Sequence, residues 1–485
     1  MDLTAVRVAQ GTLRGTALPS GGRLFAGVPF ASPPVSELRF QPPTAPATWQ
    51  GERDASTYGA PSLQLLGGSE DCLTLNVWTP SAPGPHPVLF WVFGGGFEGG
   101  SASPPGGDLA ELAEILGAVV VATNYRVGAL GWLHLADLGV PESTNLGLQD
   151  VLAALEWTSE NVAAFGGDPA RVTLAGVSAG AFILGSLLAL PRARGLFTRA
   201  MLHSGTAGRT FSRDTETSIA RDLMTELGVE SPDDLLSLDA QAILAAQASV
   251  IDSDIGRRNL PGGRSWGLVV DGSVLTDDPH TAVVAGDTAG VDLLVCATSE
   301  EVRMWSVSQA ATFAPPDEQA LLDEMTRAGH TAPEALLAGY RKRHPDADLA
   351  ELRWRFLTDA IYLLPAARLV ADHTAAGGRA WSALQTAAPF GSPPGACHGS
   401  DLAYLFDGMT GLLPRVPEEH WPVRDRLRAA WRGFVHDGDP GWSQFTPLAP
   451  TMYDVGANEL VTIAPNDDVA QAWRAWESGD EDARS

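Results

Sequence analysis

Ser178 sits in the pentapeptide Gly-Val-Ser-Ala-Gly, residues 176–180, where an apolar run breaks around a small polar residue and then resumes. Residues 171–175 read as a short buried strand and 181–190 as a helix, so the serine falls at the joint between them. Glycine on both sides removes Cβ atoms that would crowd such a joint, which lets Ser178 take a strained conformation and lift its hydroxyl above a sheet. The unreactive reading of the same serine is a helix cap. To attack a carbonyl carbon at neutral pH, the hydroxyl needs a base, a carboxylate to orient that base, and donors for the oxyanion. Gly94, Gly95 and Gly96 directly follow the apolar PVLFWVF and could bring backbone N–H groups close to a substrate oxygen, although a plain flexible loop would read the same way. The pattern by itself does not choose a base among the ten histidines.

The elements that must position these groups alternate along the chain. HPVLFWVF, AVVVATNY, RVTLAG and RAMLHSG read as strands, with helical DLAELAEIL and NLGLQDVLAALEWTSENVAAF between them. Continuous apolar strands separated by amphipathic helices imply a mostly parallel sheet covered on both faces. After residue 205 the pattern loosens into helical and Pro/Gly-rich segments, with strands returning at 292–299 and 379–386, a helix at about 421–437, and the closing strands TMYDV and ELVTI. The acidic end, 476–485, reads as a frayed tail. No repeat of solenoid or propeller period is present.

The bulk properties narrow the class. The 485 residues carry 32 basic and 58 acidic side chains, a net charge of −26, and are 45% hydrophobic, as befits a globular chain. Such an acidic protein would repel polyanions, so no nucleic-acid partner is expected. No apolar run reaches the roughly 20 residues of a membrane span, and the N-terminus lacks the pattern of a signal peptide. Three cysteines, Cys72, Cys296 and Cys397, lie outside any metal spacing and cannot all pair, which leads to the expectation of reduced thiols in the cytoplasm.

Several blocks in order resemble the type-B carboxylesterases, the cholinesterase and para-nitrobenzyl esterase branch of the α/β-hydrolases. They are GVPFASPPVSELRF (27–40), SEDCLTLNVWTP (69–80), FWVFGGGFEGGS (90–101), NYRVGALGWL (124–133) and FGGDPARVTLAGVSAGA (165–181). The resemblance implies a single α/β-hydrolase domain over 1–485, with a central mostly parallel sheet, flanking helices and helical lid insertions. Residues 1–204 would form the N-terminal sheet half, 205–290 and 305–378 the lid, and 379–475 the part bearing the catalytic histidine. It implies Ser178 as nucleophile, and the N–H groups of Gly95, Gly96 and Ala179 as oxyanion hole. GACHGSDLAYLF (395–406) resembles the block of the catalytic histidine and points to His398, with His203 its one rival; LLVCATSEEVRMW (293–305) resembles the acid block, with Glu301 at the acid position. Ion pairs Arg39–Glu70 and Arg126–Asp168 are implied as structural ties.

Departures from the family pattern bear on substrate. Val177 stands where Glu is usual, removing an internal carboxylate and the network it would make with Ser204, and Phe93 stands where His or Tyr is common. Ser62 occupies the place of the disulfide partner of Cys72, and the segment between them is short, so a more open mouth is expected and cationic esters are not favoured. Phe93, Phe97, Trp132 and Trp305 lie in or beside the motif blocks; Phe97, next to the oxyanion glycines, is the one expected at the pocket, the others being expected in the core. The reading is a hydrolase of uncharged carboxylic esters, small molecules, acting through an acyl-enzyme without metal or cofactor. The same machinery would serve carbamates or aryl amides. A non-catalytic cholinesterase-like binding protein is the reading from another class, set against the Ser, Glu and His all being present.

Overall fold

The structure is a computed structural model that describes residues 4–104, 108–409 and 413–462. Its centre is one eleven-stranded sheet. In chain order its strands are β1 (Thr16–Ala17), β2 (Arg23–Pro29), β3 (Thr74–Thr79), β4 (His86–Val92), β5 (Val119–Thr123), β6 (Gly167–Val177), β7 (Arg199–His203), β8 (Asp292–Thr298), β9 (Ala380–Gln385), β10 (Thr451–Asp454) and β11 (Glu459–Thr462). In space they run β11-β10-β9-β8-β7-β6-β4-β5-β3-β2-β1. Every neighbouring pair from β5 to β10 is parallel, and antiparallel pairs close both edges.

The parallel strands are where the sequence is most continuously apolar. All residues of β4 and β5 are buried, as a sheet covered by helices on both faces requires. The helices α1 (Ala110–Leu116), α2 (Leu146–Asn161), α3 (Ala179–Leu187), α4 (Ser400–Phe406) and α5 (Trp421–Asp437) pack around this part of the sheet. Trp431 of α5, for example, is fully buried beside Trp91 of β4. Residues 205–290 and 305–378 are mainly helical, with one short parallel pair of strands between Thr210–Phe211 and Leu268–Val269.

Strand β5 lies on one side of β4 and β6 on the other, so the chain reverses direction of travel across the sheet at β4. In open α/β sheets a crevice forms at such a point, outside the carboxyl ends of the strands. The glycine run follows β4, and Ser178 follows β6, at that place.

Candidate active site

Strand β6 is longer than its apolar core suggested and runs to Val177, while α3 begins at Ala179. No loop separates them, and Ser178 alone makes the reversal, at φ 55° and ψ −125°. For a residue with a Cβ this is a costly backbone region, occupied only when the surroundings enforce it. They do so by close packing. A Cβ on Gly180 would stand 2.3 Å from the carbonyl oxygen of Val92, and one on Gly94 would stand 2.7 Å from that of Val177 and 2.9 Å from the Ser178 Cβ. The Ser178 N–H donates to the His203 carbonyl at 2.8 Å, pinning the turn to β7.

The N–H groups of Gly95, Gly96 and Ala179 find no acceptor among the described residues. Donors so close to a serine and left unspent can serve an oxyanion.

Glu301 lies just beyond β8 and is completely buried. Its Oε2 meets His398 Nδ1 at 2.5 Å, and its Oε1 accepts from Ser204 Oγ at 2.7 Å and from the Thr298 N–H at 2.8 Å. The His398 N–H also donates to the Glu301 carbonyl at 3.1 Å, fixing the ring from the backbone side. Among the described residues no hydrogen bond joins Ser178 Oγ to His398; such bonds are often long before substrate arrives. Glu300 faces elsewhere: its carboxylate accepts from Arg303 Nη1 at 2.7 Å and from the Ala396 N–H at 3.0 Å.

His203 is engaged in a different pair. Its Nδ1 meets Asp401 Oδ2 at 2.5 Å, with both side chains buried and the ring 5.2 Å from that of Trp431. Burial opposes a charge on the ring, but Cys296 and the Asp401 carboxylate outweigh it and raise the His203 pKa.

Two expectations need correction. Arg126 does not pair with Asp168: its Nε and Nη2 grip Asp150 at 2.8 and 2.7 Å, because Asp150 projects from α2 with no exposure, whereas Asp168 caps its own turn at the Ala170 N–H. Ser204 has a carboxylate partner although Val177 offers none, since Glu301 accepts its hydroxyl. Phe97 is no open pocket wall: it is fully buried, edge-on to Trp132 at 4.8 Å. Trp305 instead is partly exposed and stands 5.3 Å from the His398 ring.

The Arg39–Glu70 pair forms, bidentate at 2.7 and 2.8 Å, and Arg39 also donates to the carbonyls of Leu235, Leu236 and Leu238. Cys72 is a buried free thiol, and Ser62 donates its hydroxyl to the Tyr125 carbonyl. Phe93 is buried and stacked on Tyr125 at 4.5 Å.

Sequence reasoning missed Tyr362, whose ring lies 5.0 Å from that of His398. It rides a π-helical turn, Asp359–Leu363, a feature frequent at functional sites but one with no motif in the sequence.

Comparison with known proteins gives a consistent picture. The profile described as the carboxylesterase family matches residues 2–475. The chain is 32% identical over 460 residues to para-nitrobenzyl esterase of Bacillus subtilis (strain 168), covering 90% of each. It is also 32% identical over 480 residues to fumonisin B1 esterase of Sphingopyxis macrogoltabida, covering 91% of this chain and 85% of that one. Among solved structures, the Geobacillus stearothermophilus carboxylesterase EST55 at pH 6.2 superposes with a TM-score of 0.87 at 32% identity, covering 98% of this chain and 100% of the other.

Proposed function

The chain belongs to the carboxylesterase family, and from that premise we propose that it cleaves carboxylic esters through a Ser178–His398–Glu301 triad. The observation that carries this reading is the 2.5 Å contact of Glu301 Oε2 with His398 Nδ1, beyond the carboxyl end of a strand two places from the one that leads into Ser178. A proton on Nδ1 held by the carboxylate leaves Nε2 as the basic nitrogen.

His398 then takes the Ser178 proton as the oxygen attacks the ester carbonyl. The developing oxyanion is met by the N–H groups of Gly95, Gly96 and Ala179. The imidazolium, stabilised by Glu301, returns the proton to the departing alcohol, and the acyl-serine is hydrolysed by water activated at the same nitrogen. Val177 puts no negative charge beside the nucleophile, which supports uncharged esters over cationic ones.

The test is covalent. An organophosphate or sulfonyl fluoride is expected to label Ser178, and Ser178→Ala to remove both the label and nearly all turnover of aryl and alkyl esters. Label found on Ser204, with Ser178→Ala still active, would overturn the assignment. Carbamates and anilides in the same rate panel distinguish ester hydrolysis from its nearest relatives.

A further inference from the structure

Arg209 stands in the segment that follows β7 and is only partly exposed. Its guanidinium carbon lies 5.2 Å from the ring of Phe97, 5.4 Å from that of Phe182 and 5.5 Å from that of Phe211. Two of these rings belong to segments that flank the nucleophile: Phe97 directly follows Gly96, and Phe182 is in the first turn of α3 behind Ser178. Aromatic faces hold a cation well but leave its in-plane donors free.

Those donors are nearly unspent. Nη2 reaches Ser265 Oγ at a long 3.4 Å, and Nε is buried without a partner. The nearby carboxyl groups do not answer it. Glu98 is held by Arg258, and Glu216 is fully buried with neither oxygen hydrogen-bonded to Arg209, burial pushing its pKa well above the usual range. Arg258 converges on the same Ser265 hydroxyl, at 3.3 Å from Nη2 and 3.4 Å from Nε. Two guanidiniums therefore converge on one hydroxyl, in a chain of net charge −26.

Burial raises the pKa of the Tyr362 phenol, while the positive charges of Arg209 and Arg258 act on it in the opposite sense; the same ring stands 5.0 Å from His398. The guanidinium therefore packs on the rings of Phe97 and Phe182 while its charge acts on a ring beside His398. A buried donor without an acceptor is costly, and a carboxylate is the planar acceptor that matches a guanidinium.

We propose that Arg209, with Arg258 beside it, is a carboxylate-recognition point of the ester-binding cleft, so that the enzyme takes esters carrying one ionised carboxyl as well as uncharged ones. The inference rests on Ser178 being the nucleophile of this same site.

Two matched pairs of substrates test it. Monoethyl glutarate against ethyl glutaramate places the charge in the acid half, and butyryl glycolate against butyryl glycolamide places it in the alcohol half. For each pair the ratio of kcat/KM, charged over neutral, is measured by pH-stat at moderate salt, because the acidic protein repels anions at long range when screening is weak. In one pair the ratio is expected to fall by about tenfold or more in Arg209→Gln, since an acceptor built for a charged hydrogen bond discriminates strongly when the donor is removed. The pair that responds identifies the half that carries the charge. Arg209→Lys is expected to recover part of the loss. A ratio unchanged within about twofold in both pairs would overturn the proposal, as the packing of Arg209 on its rings alone would leave it unmoved.

Should Arg209→Gln fail to fold, the parent enzyme still decides. Glutarate is expected to bind, by calorimetry, more tightly than glutaramide, and equal or weaker binding counts against the subsite. Organophosphate labelling separates the two readings: labelled Ser178 with an unchanged ratio rejects the carboxylate site alone, whereas unlabelled Ser178 and no ester turnover reject the hydrolase reading, and the glutarate measurement still reports on Arg209.

Discussion

Glu301 is held from two opposite sides, with Ser204 Oγ donating to Oε1 at 2.7 Å while His398 Nδ1 occupies Oε2 at 2.5 Å. Ser204 directly follows the strand between those of the nucleophile and the acid, so one hydroxyl ties the carboxylate to the end of the sheet. Removing it leaves the Thr298 N–H as the remaining donor to Oε1. A hydrogen bond to a charged group contributes about 1.5–3 kcal/mol, so Ser204→Ala is expected to lower kcat by roughly ten- to a hundredfold. KM and labelling of Ser178 should be little changed, because the effect passes through the orientation of His398. Steady-state kinetics with one neutral ester would check this, and a variant raised in KM alone would count against it.

The neighbouring carboxylates separate by their partners. Glu301→Gln puts an amide where His398 Nδ1–H needs an acceptor. Replacing the triad carboxylate of a serine protease by its amide costs about four orders of magnitude in kcat, and a loss of that order is expected here. Glu300 serves Arg303 and the Ala396 N–H instead, so Glu300→Gln should stay within about tenfold of the parent, since its lost contacts are partly exposed. Parallel rates and circular dichroism of the two variants give the answer. Glu300→Gln inactive and Glu301→Gln active would reverse the assignment.

What was legible in the sequence was whatever depends on local chain geometry. The apolar runs of β4 and β6 and the glycines around Ser178 specify a buried strand, a reversal and a helix, and these formed with shifted ends because β6 leads into α3 without a loop. The contact of His398 with Glu301 spans strands distant in sequence, and only the resemblance to a family pointed to it. Side-chain direction was the weakest point. Phe97 follows the oxyanion glycines, yet its left-handed φ of 67° accompanies a ring buried on Trp132. Arg126 found Asp150 because α2 lies against its strand end, a packing relation that no motif encodes. Tyr362 and Arg209 reach the site from segments whose helical or irregular pattern reads as generic.

The corrected ion pair predicts a difference in stability. Arg126 and Asp150 are both buried and joined by two hydrogen bonds between side chains, with the Arg126 N–H adding a third to Asp150 Oδ2 at 3.0 Å. Asp150→Ala would leave a guanidinium buried without its counter-charge, a loss of about 3–5 kcal/mol by analogy with other broken buried pairs. Asp168→Ala removes a turn contact to the Ala170 N–H and should cost about 1 kcal/mol. Urea unfolding of both variants tests the order, and equal destabilisation would mean that Asp168 carries more than its own turn.

Acid should weaken the fold through histidines that are buried neutral. His330 is 4% exposed, beside the ring of Phe356 at 6.0 Å, and burial lowers its pKa from 6.5 to about 4. Burial likewise lowers His344 and His373. A folded-state pKa below the unfolded one means that the unfolded chain binds more protons between the two values, so stability falls as pH drops through that window. His203 has the opposite sign: its raised pKa makes its contribution fully present below the unfolded value, and it adds no slope there. Between about pH 6.5 and pH 4.5 buried Glu216, with its raised pKa, takes up a proton on folding and acts in the opposite sense, and the three histidines of lowered pKa should together outweigh it. Urea unfolding of the parent is expected to give a lower free energy at pH 5 than at pH 7. His330→Gln, which cannot take up that proton, should show a smaller drop over the same interval even if it is less stable than the parent at pH 7. An equal drop in the two proteins would assign the acid sensitivity to other groups.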